Sequence, residues 1–394
     1  MLCLLLLSCI PLIPAVIVQN GQLRLDAYPG QAPLLTTAWD LSWKHYEPNA
    51  TEIAYKGRWD GDHISWWSAP GIQLEFTGQK LALNFGQYTN HGVLVAYRLG
   101  GLEWQFANVT ANSTYQFIGP WSPGINQTTV TEKKPFELRV SADGDLYRPK
   151  MSTKTLEIIG DSLSIGQYAT YEGLSSWAYY LGSGLKDFDY SISAYSGICL
   201  HDRECWGNPR GQTYQWHHTC DSSPRAREIY GSNPPKWDFR AHAAADLVII
   251  NLGANDDLNG VLREEFERSY IEHINEVHRI WPQAQIILMA CLELSRGSVP
   301  SGTTYVQKPQ LVQEIQNVYQ YFQDLGHDYV HYFDTTGILQ QNDIALESHL
   351  TDFGNVKIAS HLMQWIKGRF GFGMETKGGE ILHGTRYWNT ESDY

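Results

Sequence analysis

Clusters of basic residues are missing from this sequence of 394 residues. It holds 29 Lys and Arg against 42 Asp and Glu, for a formal net charge of -13 at pH 7, and no Lys/Arg-rich run interrupts the acidity. Nucleic acids and anionic membrane surfaces bind basic patches on proteins. The composition therefore argues against nucleic acid and anionic membrane as partners.

Metal-binding motifs are also missing. The six cysteines form no Cys-x-x-Cys pair, and no predicted helix carries two His residues one turn apart. We therefore expect no metal ion and no other cofactor. Cys205 and Cys220 share a loop rich in Gly, Pro and Trp and are the disulfide pair that we expect. Cys291 lies in an apolar run, which is typical of a buried thiol.

Long apolar runs are missing after residue 18. Leu2–Val18 is apolar but short for a membrane span, and Pro11 and Pro14 would interrupt a helix there. We interpret residues 1–19 as a secretory signal peptide, cleaved near Ala15 to Asn20. Because no Lys or Arg precedes the apolar run, an uncleaved signal anchor is the alternative.

Four N-glycosylation sequons support secretion. They begin at Asn49, Asn108, Asn112 and Asn126. One sequon arises easily by chance, but four in the first third of the chain indicate an exposed N-terminal domain in a eukaryotic secretory route. We expect the mature protein to be extracellular, monomeric and free of the membrane after signal cleavage.

The chain divides into two predicted domains. In residues 20–148, short alternating or apolar runs are separated by Gly, Pro and Asn, which is typical of an antiparallel β-sandwich of the jelly-roll kind. In residues 149–372, strand-like runs alternate with helical ones. This alternation predicts a three-layer α/β/α domain with a parallel, flavodoxin-like sheet. Residues 373–394 are polar and Gly-rich and are expected to form an irregular tail.

The elements predicted in the second domain indicate where a ligand binds. The predicted strands are Leu156–Ile159, Asp189–Ala194, Leu247–Leu252, Ile286–Leu292 and Val330–Phe333. The predicted helices are Ser175–Gly182, Arg263–Ile280, Gln307–Leu325 and Phe353–Phe370. In such a sheet the ligand crevice lies beyond the carboxyl ends of the strands.

Candidate reactive groups follow the first two strands. The first strand runs directly into Gly160-Asp161-Ser162-Leu163, so the Ser162 hydroxyl can project into the crevice and its N–H can face a developing oxyanion. Gly197 follows the second strand and can bring its N–H close to a ligand because it has no Cβ. Taken singly, the two also fit a helix cap and an ordinary turn.

Two further candidates follow later strands. The third strand ends in Gly253-Ala254-Asn255-Asp256, and the Asn255 amide is suited to an oxyanion hole. His349 comes after the fifth strand and just before the last helix. Neutral imidazole is the natural base for a serine hydroxyl near neutral pH, so His349 is the candidate base for Ser162.

Together these blocks resemble the SGNH (GDSL) hydrolase superfamily. The resemblance implies Ser162 as nucleophile, His349 as base, and an oxyanion hole formed by the Ser162 and Gly197 N–H groups with the Asn255 side chain. Upstream, Tyr55-Lys56-Gly57-Arg58-Trp59 and the following residues to Gly78 resemble the β-sandwich that precedes the catalytic domain in carbohydrate esterase family 2. That resemblance implies an esterase that removes acetyl groups from plant polysaccharides or their oligosaccharides.

One departure concerns the residue that orients the base. The superfamily usually carries Asp three residues before the histidine and Pro after it, but this chain has Leu346 and Leu350. A carboxylate in that place normally stabilises the imidazolium. Glu347, the more remote Asp343, or a backbone carbonyl supporting a Ser–His dyad are the alternatives.

The long insertion Cys199–Trp237 leaves two interpretations open. Its aromatic residues either line the cleft and stack on sugar rings, or pack among themselves in a surface loop. Alternative functions are a GDSL lipase or general short-chain esterase, and a catalytically inactive carbohydrate-binding protein. The missing Asp supports the last of these, whereas the joint presence of Ser162, Gly197, Asn255 and His349 argues against it.

Overall fold

A computed structural model describes residues 42–90, 93–100, 102, 104–119, 122, 137–142, 144–290, 311–345 and 348–375, and the backbone of several short strands outside these ranges. Most of the predicted signal peptide and Cys291 lie outside the described residues. Val16–Gln19, at the end of that signal peptide, form a strand. Within the described part of the chain, no helix combines the length and the apolar character needed to cross a membrane.

The N-terminal region consists of short strands. They are β1 Val16–Gln19, β2 Gln22–Arg24, β3 Leu34–Leu35, β4 Trp43–Tyr46, β5 Ala54–Trp59, β6 Ser65–Gln73, β7 Glu75–Phe76, β8 Leu81–Phe85, β9 Val93–Tyr97, β10 Gln105–Val109, β11 Ser113–Ile118, β12 Thr128–Thr129, β13 Glu137–Ser141 and β14 Leu146–Tyr147.

The C-terminal region alternates strands with helices. Its strands are β15 Lys154–Gly160, β16 Phe188–Ala194, β17 Leu247–Asn251, β18 Gln285–Met289, β19 Leu294–Val299, β20 Gly302–Gln307, β21 Val330–Phe333 and β22 Thr385–Tyr387. Its helices are α1 Trp177–Gly184, α2 Gln212–Gln215, α3 Pro224–Tyr230, α4 Ala254–Leu258, α5 Arg263–Ile280, α6 Val312–Asp324 and α7 Asp352–Phe370. Glu172–Ser175 and Gln341–Asp343 form single 3-10 turns.

The central sheet has the strand order β21-β18-β17-β15-β16-β6-β5. The strands from β21 to β16 are parallel, as the sequence predicts. β17 is buried along its whole length because its apolar run is covered on both faces. Trp177 of α1 and Leu362 of α7 belong to the core on one face, and Tyr270 of α5 and Ile315 of α6 belong to the core on the other. This arrangement confirms the predicted three-layer α/β/α fold.

The N-terminal region forms antiparallel sheets around a separate core. A five-stranded sheet has the order β3-β11-β8-β13-β4, and smaller sheets have the orders β10-β9 and β12-β7-β14. Phe76, Leu83, Val95 and Phe117 are buried in this core. β1 pairs with β2 and with β22, which lies in the predicted tail.

Strands β5 and β6 connect the two regions in a way that the sequence pattern does not indicate. β6 pairs with the edge strand β16 in antiparallel orientation, with Ser68 opposite Ile192, so the parallel sheet continues into N-terminal strands. Arg58 of β5 is buried and donates to the Glu157 carboxylate of β15 over 3.1 Å. A fully buried ion pair of this kind is stable only when other groups complete its hydrogen bonding, and Ser193 and Trp216 also donate to Glu157.

The predicted disulfide between Cys205 and Cys220 is wrong. Cys199 pairs with Cys205, and the two Cα atoms lie 6.0 Å apart, which is within the usual range for a disulfide. Cys220 is a buried free thiol that packs in a small core with Trp66 and Trp67. The loop composition that Cys205 and Cys220 share did not indicate that Cys205 pairs with Cys199, six residues earlier.

Candidate active site

Ser162 lies where β15 ends. Gly160 closes the strand, and a Cβ at this position would meet the Ser164 hydroxyl at 2.1 Å, so the turn requires glycine. The Asp161 carboxylate accepts a hydrogen bond from the Leu163 N–H over 3.0 Å, and the Asp161 carbonyl accepts one from the Ser164 N–H over 3.0 Å. These bonds fix a tight turn that presents Ser162 at the carboxyl edge of the sheet.

His349 reaches Ser162 from the far end of the chain. Its Nε2 lies 2.8 Å from the Ser162 hydroxyl oxygen, across 187 residues of sequence. The His349 carbonyl accepts from the Ala345 N–H over 2.7 Å, and the ring packs edge-on against Tyr168, with ring centres 5.2 Å apart. The structure therefore brings the predicted nucleophile and base into hydrogen-bonding contact.

The beginning of α7 holds the histidine segment against the loop that follows Ser162. The buried Asp352 carboxylate accepts from both the Thr170 N–H, over 2.8 Å, and the Thr170 hydroxyl, over 2.6 Å. Asn355, one turn later, accepts from the Trp177 N–H over 2.8 Å. Sequence reasoning did not identify Asp352, although an acidic residue three positions after the candidate base was a visible signal.

Gly197 takes a backbone conformation that favours glycine. Its φ is +74°, and a Cβ would come within 2.8 Å of the Trp206 Cβ. The neighbouring Ser196 carbonyl accepts from the Asn208 side chain over 2.9 Å. Gly197 therefore lies in a closely packed turn beside the Ser162 hydroxyl, as the sequence predicts from its place after β16.

The Asn255 side chain lies where the three strands β15, β16 and β17 end. It is buried at the start of α4, directly after β17, and its amide donates to the Asp161 carboxylate over 3.2 Å and to the Ile198 carbonyl over 3.1 Å. These partners follow β15 and β16. The side chain is thus fixed beside both the Ser162 turn and the Gly197 turn.

Asp256 is a further residue that sequence reasoning quoted but did not assign. Its buried carboxylate accepts from the Leu200 N–H over 2.8 Å and from the His201 N–H over 2.9 Å. Burial raises the pKa of Asp256 to about 7. The two bonds attach the segment after Gly197 to α4, which carries Asn255.

The candidates for orienting His349 stand differently. The Asp343 carboxylate is buried, pairs with Lys357 and accepts from the Gln340 N–H over 2.8 Å. Its interactions therefore tie α7 to the preceding 3-10 turn. Glu347 and Leu346 lie outside the described residues. The role of Glu347 in orienting His349 therefore stays a prediction.

A cleft of about 390 Å³ opens above the serine. It is lined by Ser162, Leu163, Gln167, Ser196, Gly197, Trp206, Ala254, Asn255, Leu258 and His349. Trp206 is 65% exposed and sits next to Cys205, which the disulfide fixes to Cys199. The other aromatics of the insertion do not line this cleft, and Trp216 is fully buried in the core.

The described residues offer no group of three or more His, Cys, Asp or Glu side chains that is placed to hold a metal ion. His217 and His218, the adjacent histidines of the insertion, face different neighbours. His218 contacts the Tyr214 carbonyl through Nδ1 at 3.1 Å, whereas the His217 ring packs edge-on against Trp216 and Phe239.

Solved structures with similar folds include carbohydrate esterases of family 2. The Clostridium thermocellum enzyme, solved in complex with cellohexaose, is 20% identical, with a TM-score of 0.63 over 81% of this chain and 99% of that one. The enzyme from Cellvibrio japonicus is 14% identical, with a TM-score of 0.67 over 83% and 98%. The acetyl xylan esterase Est2A of Butyrivibrio proteoclasticus is 16% identical, with a TM-score of 0.64 over 83% and 99%. At these identities the similarity is one of fold.

Sequence comparison adds the family. No curated protein sequence matches the chain. The model of the GDSL-like lipase/acylhydrolase family, however, matches residues 158–363, which is just over half of the chain and includes all the strand ends described above. With this match, the chain belongs to the GDSL-like lipase/acylhydrolase family.

Proposed function

We propose that this protein is a secreted serine esterase that removes acetyl groups from carbohydrate through an acyl-enzyme on Ser162. The observation that carries the proposal is the 2.8 Å contact between the Ser162 hydroxyl and His349 Nε2, made at the edge of the sheet where Gly197 and Asn255 also lie. Membership of an acylhydrolase family supports the reaction class.

Acylation uses His349 as the base. Neutral His349 takes the proton from the Ser162 hydroxyl as the oxygen attacks the ester carbonyl carbon. The carbonyl oxygen gains negative charge and receives hydrogen bonds from the Ser162 N–H, the Gly197 N–H and the Asn255 amide, which exchanges one of its two present acceptors, Asp161 or Ile198, for this oxygen. As the tetrahedral intermediate collapses, the carbon–oxygen bond to the sugar breaks. His349 gives its proton to the departing sugar hydroxyl.

Deacylation repeats these steps with water. His349 removes a proton from water, the hydroxide oxygen attacks the acyl carbon, and the same three donors stabilise the second oxyanion. Collapse releases acetate and returns the proton to Ser162. The Asp343 carboxylate is paired with Lys357. The imidazole of His349 is therefore oriented by a backbone carbonyl, in a Ser–His dyad, or by Glu347.

Two features support a short acyl group on a sugar. The cleft of about 390 Å³ is near the lower end of the roughly 300–1,000 Å³ range of small-molecule sites, and it must hold a sugar and an acyl group together. The exposed indole of Trp206 offers a flat apolar face of the kind that packs against sugar rings. The cellohexaose complex and the acetyl xylan esterase among proteins of similar fold point to the same substrate class.

The signal peptide interpretation of residues 1–19 and the four sequons support secretion. The Cys199–Cys205 disulfide is consistent with an oxidising compartment. Secretion would place the enzyme where polysaccharides occur.

Acetate release from acetylated xylan and acetylated glucomannan tests the proposal, with long-chain esters assayed in parallel and Ser162→Ala as control. We expect acetate release by the native protein only. Activity restricted to long acyl chains would contradict the carbohydrate assignment and favour a lipase. Absence of activity on every ester would contradict the enzyme assignment and favour a carbohydrate-binding role.

A further inference from the structure

A second cleft, larger than the one above Ser162, lies elsewhere on the molecule. Its volume is about 740 Å³, and its lining includes Lys236, Trp237, Phe239, Arg240, Arg279 and Trp281. We call it the basic cleft. No step of the proposed esterase reaction uses any of these residues.

The basic cleft lies at the opposite end of the sheet from Ser162. Lys236 to Arg240 precede β17, and Arg279 and Trp281 come at the end of α5, just before β18. These segments meet the amino ends of the strands, whereas the Ser162 cleft forms at their carboxyl ends. A ligand in the basic cleft therefore binds at a site separate from the ester.

The charge of this cleft is opposite to that of the whole chain, which is -13. Lys236 and Arg240 are exposed and form no ion pair with any other residue that the structure describes, while Arg279 pairs with Glu276. Asp238 is the single carboxylate among the described lining residues, and it accepts from the Arg240 N–H over 3.0 Å. The cleft is therefore a local region of positive potential on an acidic protein.

Behind the cleft wall lies a further cation. The buried Arg58 guanidinium is 5.2 Å from the ring centre of Trp237 and 5.4 Å from that of Phe239. Glu157 compensates the Arg58 charge. Burial lowers the pKa of His242, which stacks on Trp237 with ring centres 3.9 Å apart. Because His242 is neutral, the positive charges of the cleft lining belong to its lysine and arginine side chains.

We propose that the basic cleft binds an acidic oligosaccharide, that is, a sugar chain that carries carboxylate groups. Arg240 and Lys236 would pair with a carboxylate, with Arg240 able to bind both oxygens. The partly exposed Trp237 and Phe239 would contact apolar faces of the sugar ring. A small inorganic anion would fill little of about 740 Å³, and a neutral sugar would leave the cations without a partner. Because the cleft is separate from Ser162, this proposal does not depend on the ester specificity proposed above.

Calorimetric titration of full-length Ser162→Ala protein tests the proposal without any turnover. The probes are a defined galacturonic acid oligosaccharide, neutral cellohexaose, and a sulfated oligosaccharide of similar length. We expect the galacturonic acid oligosaccharide to bind, and its affinity to fall about tenfold or more in Lys236→Ala/Arg240→Ala, because hydrogen bonds to charged groups are lost.

A matched control removes the same charge elsewhere. Lys150→Ala/Lys367→Ala changes two exposed lysines that do not line the cleft, and it should leave the affinity unchanged. Equal weakening in this control would overturn the proposal in favour of a general charge effect. Failure of the acidic oligosaccharide to bind, or binding that ignores the Lys236 and Arg240 changes, would also overturn it. Preference for the sulfated probe alone would contradict the carboxylate assignment. Unfolding midpoints of all variants confirm that they fold.

Discussion

The nucleophile and the base are held in place by different means. Ser162 lies in a turn that is linked to its neighbours at several buried points, through Asn255 and through the Asp161 carboxylate. His349 is half-buried on a short segment that α7 anchors through Asp352 and through Asn355, whose amide donates to the Leu350 and Thr351 carbonyls. The serine turn is held at the end of buried strands, whereas the histidine segment is held by the first turns of the helix that follows it.

This difference follows from how the fold makes the two positions. Parallel strands end at one edge of a sheet, so the Ser162 turn, the Gly197 turn and Asn255 are brought together by the same buried strands. His349 comes from a connection after β21, which is an edge strand of the sheet among the strands that the structure describes. We therefore expect changes on the two sides to differ in effect.

Removing either reactive group should give the largest effect. Ser162→Ala and His349→Ala should each lower kcat about 10⁴-fold or more, because each removes the nucleophilic route as a whole. The double variant should be no slower than the single variants. Initial rates of acetate release measure all three. Losses that multiply in the double variant would show that the two residues do not act as a pair.

Loss of the Asn255 amide, the proposed oxyanion donor, should give the second largest fall in kcat. Asn255→Ala should reduce kcat by about 10²–10³-fold with a smaller change in KM, because the donated bond matters most when the carbonyl oxygen is charged. Asn259→Ala is the matched control, since Asn259 is the same residue type one turn later and donates only to the Asn255 carbonyl among the described residues. A variant in which KM rises and kcat stays constant would place Asn255 in substrate binding alone.

On the histidine side, a change at Asp352 should lower kcat because Asp352 helps to hold the segment that carries His349. Asp352→Asn leaves one acceptor where two bonds to Thr170 are made, so the His349 segment loses part of its attachment. We expect kcat to fall about tenfold with KM nearly unchanged, which corresponds to about 1.4 kcal/mol. Thr170→Ser keeps both donors and is the control. If both variants behave alike, Asp352 does not position the base.

Much of the site was predictable because the strands of the parallel sheet are buried apolar runs. β17 appears in the sequence as four successive large apolar residues, and β15 as three large apolar residues interrupted by Glu157, so the polar residues that follow them must lie at the strand ends. That reasoning located Ser162, Gly197 and Asn255, which the structure brings to one cleft together with His349.

The remaining features depend on contacts between residues that are far apart in the sequence, which local sequence patterns do not indicate. Arg58 and Glu157 look like surface residues in the sequence, yet they are buried against each other between β5 and β15. The continuation of the sheet into β5 and β6 rests on this pair and on Lys56, which pairs with Asp189 over 2.8 Å. Likewise, Trp216 of the insertion is fully buried whereas Trp206 is exposed, and nothing in their spacing shows this difference.

The last predicted effect concerns the pH dependence of stability, and not the reaction rate, and depends on Asp256. Since burial raises its pKa to about 7 from an ordinary 3.8, the folded carboxyl stays protonated at pH values where the unfolded one is ionised. The stability that this provides is complete below about pH 4 and is lost as the pH rises toward 7, by at most about 1.4 kcal/mol per pH unit. Asp256→Asn cannot ionise and should lack this slope, although it also loses one acceptor for the Leu200 and His201 N–H groups.

Urea unfolding across this pH range measures the slope. The free energy of unfolding of the native protein minus that of Asp256→Asn should decrease steadily between about pH 4 and pH 7. Asp257→Asn, the adjacent and less buried carboxylate, is the control for a general charge effect. A difference that increases with pH would mean that the folded protein favours the ionised form. In that case, the Leu200 and His201 N–H groups would outweigh burial, and the serine side would be most stable when Asp256 is charged.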